Sequence, residues 1–238
     1  MNRPLRKPKN RRRYWELKNR RLEAEEKILL KILKRYFEGQ KERILERMPQ
    51  SLSKDLAEQV FNKEREQRIA KELTLPALQQ IMEEEGIEAA GRFGGSFMFT
   101  SELDSWLDER TEFFTKKINE TTYDQLSNQM REGVAAGESY DDIARRVSNQ
   151  IDEISEGRAR TIARTEVHSA QQKANFEGYR QVGVESKIWV AAFINTRDTH
   201  AEIDGEEVPI DRTFSNGLMF PGDVSGPPAE VINCNCSV

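Results

Sequence analysis

The chain has 238 residues, more than one small core needs and fewer than two large domains use; 37% are apolar and 33% charged, with a mean hydropathy of −0.76. That balance points to long, charge-laced helices. No apolar run approaches the roughly 20 residues of a membrane span and none follows the basic start, so neither a span nor a secretory leader is expected. Two cysteines, spaced Cys234-Asn235-Cys236, cannot build a disulfide scaffold, and a reducing cytoplasm is the simpler home.

The net charge of −4 conceals an asymmetry: residues 1–21 carry ten Lys/Arg against Glu16, so this segment is +9 and the remainder −13. A basic arm on an acidic body can neutralise phosphates, which makes Arg11, Arg12, Arg13, Arg20 and Arg21 candidate nucleic-acid contacts. A disordered, solvated tail that includes Arg3 and Arg6 accounts for the charge equally well. Tyr14 and Trp15 favour a contact segment, because aromatics beside cations suit nucleic acid and protein surfaces alike.

In chain order, Leu22, Leu29, Leu33, Tyr36 and Ile44 fall at helical spacing, which predicts a helix from Tyr14 to Met48, stopped by Pro49. A charged stretch follows from Ser51, with Leu52, Leu56 and Val60 as apolar points. Pro76 suits the first turn of another helix, which Gly86 would end. Gly91, Gly94 and Gly95, with Phe93, Phe97, Met98 and Phe99, read as a loop. Ser101 with Asp104 reads as a cap opening a helix over 102–132, about 46 Å long at 1.5 Å per residue. Ser139 with Asp142 opens a short helix bearing Ile143, Val147 and Ile151, and a further helix runs from Arg158 to Arg180 after Gly157. Residues 187–194 are β-like, and the rest is turn-rich with short apolar pieces at 208–210, 218–220 and 231–232. So few apolar residues would hold that end poorly without a staple or packing on the preceding helix.

His200, Cys234 and Cys236 are the sharpest chemical candidates, since imidazole and thiolate are preferred zinc ligands and a loop-rich end suits a structural metal clip. His168, Glu166, Asp198 or Asp204 could supply a fourth ligand, and the spacing does not choose among them. The alternative is two reduced cysteines packing a C-terminal strand beside an unrelated histidine. Arg164-Thr165-Glu166 sits mid-helix and reads as a buried Glu–Arg pairing that ties the helix to the turn-rich end, rather than as an acid–base site. No nucleophile–base–orienter set and no phosphate-cradling glycine motif is visible, so the chain is not read as an enzyme.

A series of short motifs runs through this end: Ala163-Arg164-Thr165-Glu166, Ala174-Asn175, Gly178, Lys187-x-Trp189, Arg197-Asp198-Thr199-His200, Asp204-Gly205, Phe214, Pro221-Gly222-Asp223 and Asn233-Cys234-Asn235-Cys236. With Gly137-x-Ser139 and Ile143-Ala144 before it, the series resembles the Mu F-like phage head morphogenesis family, the minor capsid proteins, over residues 134–238. One departure is Asn195, where the family usually has an acid before the Arg-x-x-His turn. The resemblance marks Arg164, Thr165, Glu166, Trp189, Arg197, Asp204 and Gly205 as structural motif residues. It implies a minor head protein of a tailed phage, associated with the portal or procapsid interior and acting in head assembly or genome delivery. Portal, major capsid and scaffold proteins, and packaged DNA, are the implied partners, with no membrane and no small-molecule substrate. The implied location is the host cytoplasm during assembly, then the virion or procapsid.

The expected class is therefore α+β, with an elongated, mostly helical N-terminal region and a small loop-rich α+β C-terminal domain. The expected division is a basic arm (1–21), a helical interaction region (22–133) and the Mu F-like domain (134–238), with zinc as the structural cofactor. The competing reading is a metal-dependent nuclease or toxin-type effector built on His200 and the Cys234/Cys236 pair.

Overall fold

The computed structural model describes residues 7–49 and 56–238, and over these the chain is mostly helix with one two-stranded sheet. The elements are α1 (Pro8–Leu45), α2 (Leu56–Val60), α3 (Lys63–Gly91), α4 (Ser101–Ala135), α5 (Tyr140–Gln181), β1 (Ser186–Ile188), α6 (Asp198–Ala201), β2 (Glu207–Pro209) and α7 (Pro228–Val231). A mostly helical α+β class is what the sequence predicts. Arg3, Arg6, Ser51 and Leu52 lie outside the described residues. Among the described residues no helix is long and apolar enough to cross a membrane.

The chain divides into two compact units, and each draws on separate stretches. One comprises Met1–Ile28, Leu78–Asp104 and Thr161–Val238; the other comprises Leu29–Ala77 and Ser105–Arg160. This differs from the successive segments read from the sequence. The helices α1, α3, α4 and α5 each contribute residues to both units, and a helix that keeps its periodicity carries no composition change at such a boundary.

In the all-helical unit, Leu33, Phe37, Leu56, Val60, Phe114, Ile118, Leu126, Ile143 and Val147 are buried at helical spacing. A polar network lies among them. Tyr36 donates to Asn119 Oδ1 at 2.8 Å, Gln40 donates to Tyr36 Oη and Asn119 Oδ1, and Arg43 holds Glu66 at 2.8 and 2.6 Å.

Several helix ends lie elsewhere than the sequence places them. Residues 8–21 are not a tail: α1 begins at Pro8, because Trp15, Lys18 and Leu22 form one buried face. Pro76 lies inside α3, where a long, packed helix absorbs the one lost backbone bond. Gly86 does not end α3, since its hydrogen faces the ring of Phe97, whose atoms would stand 2.4 Å from a Cβ there. At Gly178 of α5 a Cβ would lie 2.9 Å from both Ala89 Cβ and the Gly86 carbonyl. Gly86 thus makes room for Phe97 of the following loop, and Gly178 permits a close approach of α5 to α3. Thr100, one residue before the expected cap, accepts from the Leu103 N–H at 3.3 Å. The Ser139–Asp142 cap forms as expected, with Asp142 N–H on Ser139 Oγ at 3.2 Å. The helix it opens runs straight through Gly157, so the two expected helices are one.

In the other unit, β1 and β2 pair antiparallel with Lys187 opposite Val208, and Val190 makes an isolated bridge with Ser237. The β-like stretch 187–194 is thus shorter as a strand than expected, and Val231 of the expected 231–232 piece is the last residue of α7. The core joins Phe176 and Tyr179 of α5 to Trp189, Phe214, Leu218, Phe220, Cys234, Cys236 and Val238, with Trp15 and Ala89 against it.

Candidate metal centre

The C-terminal tail is positioned by its own backbone. Asn233 takes a left-handed conformation (φ 57°), and its N–H donates to Thr165 Oγ1 at 3.2 Å. Trp15 Nε1–H donates to the Asn235 carbonyl at 2.8 Å, His168 Nε2–H to the Cys236 carbonyl at 2.7 Å, and the Tyr14 hydroxyl to the Val238 carbonyl at 2.8 Å. Val190 and Ser237 exchange backbone bonds of 2.8 Å, and Val238 N–H reaches Gln172. Helices α1 and α5 therefore both bond to the backbone around the Cys-x-Cys segment.

On that tail Cys234 and Cys236 face His200, which the one-turn helix α6 presents. The three side chains are 1–2% exposed, and one ligand atom of each lies within 4.8 Å of the others. His200 Nδ1 is 3.7 Å from Cys234 Sγ and 3.4 Å from Cys236 Sγ, while its Nε2 is 2.7 Å from Glu230 Oε2 of α7. Thr199 Oγ1 also donates to Glu230, and Ala192 N–H points at Cys236 Sγ from 3.4 Å. Trp189 packs edge-on against the imidazole, with ring centres 5.0 Å apart.

The electrostatics polarise the group. Burial opposes ionisation of Cys234, but the hydrogen bond from Cys236 and the two imidazoles, His168 and His200, outweigh it and hold this thiol well below its ordinary value. The bond to Cys234, together with burial, pushes the Cys236 thiol well up. Burial lowers His200, and the Cys234 sulfur and Glu230 more than reverse this, so its pKa is raised. The thiolate favoured at Cys234 is the form in which a cysteine binds a metal.

The three residues singled out as ligands are thus brought together. None of the candidate fourth ligands joins them: among the described residues the grouping consists of His200, Cys234 and Cys236. Asp198 is exposed at the start of α6. Asp204 is held by Arg11 through contacts of 2.9 and 3.1 Å and accepts the Ala191 N–H. His168 spends its proton on the tail carbonyl, and Glu166 is buried on α5. Glu230 was not singled out in the sequence, where one Glu in a Pro-rich turn carries no periodic signal.

The structural motif residues take distinct places. Arg164 does not tie α5 to the turn-rich end; it pairs with Glu26 of α1 at 3.2 Å, and Thr165 makes the tie instead. Trp189 is fully buried between His200 and Phe214. Arg197 donates to the Ile232 carbonyl next to the tail. Gly205 has φ +87°, and a Cβ there would stand 2.8 Å from the Arg11 guanidinium carbon, so only glycine lets Arg11 lie across the turn.

Two of the five arginines assigned to nucleic acid are engaged within the fold. Arg11 is buried on Asp204, and Arg21 pairs with Glu25 at 2.9 Å, with Glu85 at 2.5 Å and with Glu88. Arg12, Arg13 and Arg20 are exposed on α1, Arg12 beside Glu16 and the ring of Phe193.

Residues 124–238 match the family described as Phage Mu protein F like protein, which bears out over that stretch the resemblance read from the motifs. The chain is 34% identical over 128 residues to the NAD(+)--arginine ADP-ribosyltransferase EFV of Enterococcus faecalis, covering 51% of this chain and 26% of that protein. It is 27% identical over 141 residues to the uncharacterized protein YqbB of Bacillus subtilis, covering 56% and 46%. The chain thus spans about a quarter and less than half of these two relatives. No solved structure matches it significantly.

Proposed function

We propose that this chain, with its Phage Mu F like stretch at 124–238, is a minor head protein of a tailed phage. In this reading it joins the portal, scaffold or major capsid protein in the procapsid, acts in head assembly or genome delivery, and catalyses no reaction. The family match carries the reading. The enclosed Cys–His group supports it, because three ligands buried to 1–2% exposure suit a structural centre better than an open catalytic one. The exposed cations Lys9, Arg12, Arg13 and Arg20 on α1 supply a surface for packaged DNA.

The test is co-sedimentation of the full chain, co-expressed with the portal, scaffold and major capsid proteins of one phage genome. The expected result is its presence in gradient-purified procapsids. A chain that stays at the top of the gradient refutes the reading, as does turnover of NAD+ or metal-dependent DNA cleavage by the purified protein. Removing the N-terminal 130 residues is not a usable control, since Met1–Ile28 and Leu78–Asp104 belong to the same compact unit as Thr161–Val238.

A further inference from the structure

We infer that His200 Nδ1 and the sulfurs of Cys234 and Cys236 are three ligands of one zinc ion, and that Glu230 orients the imidazole from its far side. Glu230 Oε2 stands 2.7 Å from Nε2, and its negative charge favours the tautomer that carries the imidazole proton there. The Nδ1 lone pair then faces the two sulfurs. Hydrogen bonding alone gives little reason for that convergence, since a thiol is a weak donor and a weak acceptor.

The distances agree with a metal. Zinc bonds of about 2.3 Å to sulfur and 2.0–2.1 Å to nitrogen, at tetrahedral angles, set sulfur–nitrogen separations at roughly 3.5–3.6 Å. The observed values, 3.4 and 3.7 Å, straddle that range. A histidine that ligates through one nitrogen and turns its other toward a carboxylate is the usual outer-shell arrangement, and Glu230, 2.7 Å from Nε2, stands at that place. The Ala192 N–H aimed at Cys236 Sγ adds a donor of the kind that supports a thiolate ligand.

The ligands come from segments with little structure of their own. Helix α6 has four residues, and the tail has no element beyond its bridge to Val190. An ion joining them closes the loop between residues 200 and 236, which contains β2 and α7, and so provides the staple that so small an apolar core needs. Among the described residues the grouping consists of these three ligands.

The experiment uses the full chain, purified under reducing conditions without a chelating column. Elemental analysis is expected to find one zinc per chain. Exchange with Co2+ is expected to give sulfur-to-cobalt charge-transfer bands and the visible bands of a tetrahedral site. Cys234→Ser or His200→Ala is expected to abolish both, and because those variants risk failing to fold, Glu230→Ala is measured beside them. That variant keeps all three ligands, so it is expected to retain the cobalt spectrum at saturation while its metal affinity falls 10- to 100-fold. A folded wild-type chain that holds no zinc and gives no charge-transfer band with added Co2+ overturns the site. Full zinc content in a folded Cys234→Ser variant overturns the ligand set, and unchanged affinity in Glu230→Ala overturns the orienting role.

Discussion

In the unit formed by Leu29–Ala77 and Ser105–Arg160 the buried residues recur at helical spacing, and a helix becomes stable by burying one stripe. The unit that holds Cys234 is different: beyond α5 its backbone is short turns and three-residue strands, and its residues are joined by individual polar contacts. Arg11 on Asp204, Trp15 on the Asn235 carbonyl, Thr165 on Asn233 and Lys18 on Glu85 each connect positions far apart in the chain. Where burial is repetitive, many residues share the load and one polar change costs little. Where it depends on single contacts, each contact is specific and its loss is felt.

The largest expected effect is that of Trp189→Ala, which empties a fully buried site between His200 and Phe214 and costs about 3–5 kcal/mol. Hydrogen exchange is expected to show lost protection in the Thr161–Val238 part, with protection kept at Leu33 and Ile118. Simultaneous loss in both units would break the contrast.

Next comes Glu85→Ala. Glu85 is 0% exposed and lies 2.6 Å from Lys18 Nζ, so its removal leaves a buried ammonium with only Asn175 and the more distant Glu88. A cost of about 3 kcal/mol is expected in urea denaturation.

Lys187 gives a pH signature specific to the loop-rich unit. Its ammonium lies among the rings of Phe176 and Phe214, with centres 4.8 and 5.3 Å away, and donates to the Ile210 carbonyl. Burial pushes its pKa down from 10.5 to about 8, against the opposing pull of Asp211 and Asp223. The folded chain therefore gives up this proton near pH 8 while the unfolded chain keeps it to about 10.5, so the unfolded state binds more protons in that window. Lys187's contribution to stability is expected to rise across it by at most about 3 kcal/mol. Comparing pH-dependent denaturation of the wild type with Lys187→Met isolates this rise, which the variant should lack.

A smaller effect is expected in the all-helical unit. Tyr36→Phe removes one donor from the Tyr36–Gln40–Asn119 network and is expected to cost about 1–2 kcal/mol by thermal melting. The smallest belongs to Arg13→Glu with Arg20→Glu, two exposed positions whose substitution should change stability by less than about 0.5 kcal/mol each. The same pair is expected to flatten the salt dependence of DNA binding in a filter assay; an unchanged slope would remove α1 as the DNA surface.

The apolar spacing of Leu33, Phe37, Ile118 and Val147 announced buried helix faces, because a helix repeats its environment every few residues. The Ser139–Asp142 cap was equally local, and His200, Cys234 and Cys236 stood out by chemical type alone. Helix ends were legible only where the signal was local: Pro76, Gly86 and Gly157 lie inside helices because packing along a long helix outweighs one poor residue. Glu230 became visible only in three dimensions, since its meaning lies in 2.7 Å to His200, thirty positions away in the sequence.

The sequence by itself determined the helical character of the chain, its C-terminal family motifs and the residue types able to hold a metal, all of which reside in local spacing or identity. Tertiary structure decided which charges stay exposed, turning Arg11 and Arg21 inward onto Asp204 and Glu85 while Arg12, Arg13 and Arg20 face solvent. It also decided that the first helix packs with the last residues, through Tyr14 and Trp15. Both outcomes depend on partners more than 60 residues away, and a pattern of neighbours carries no information about them.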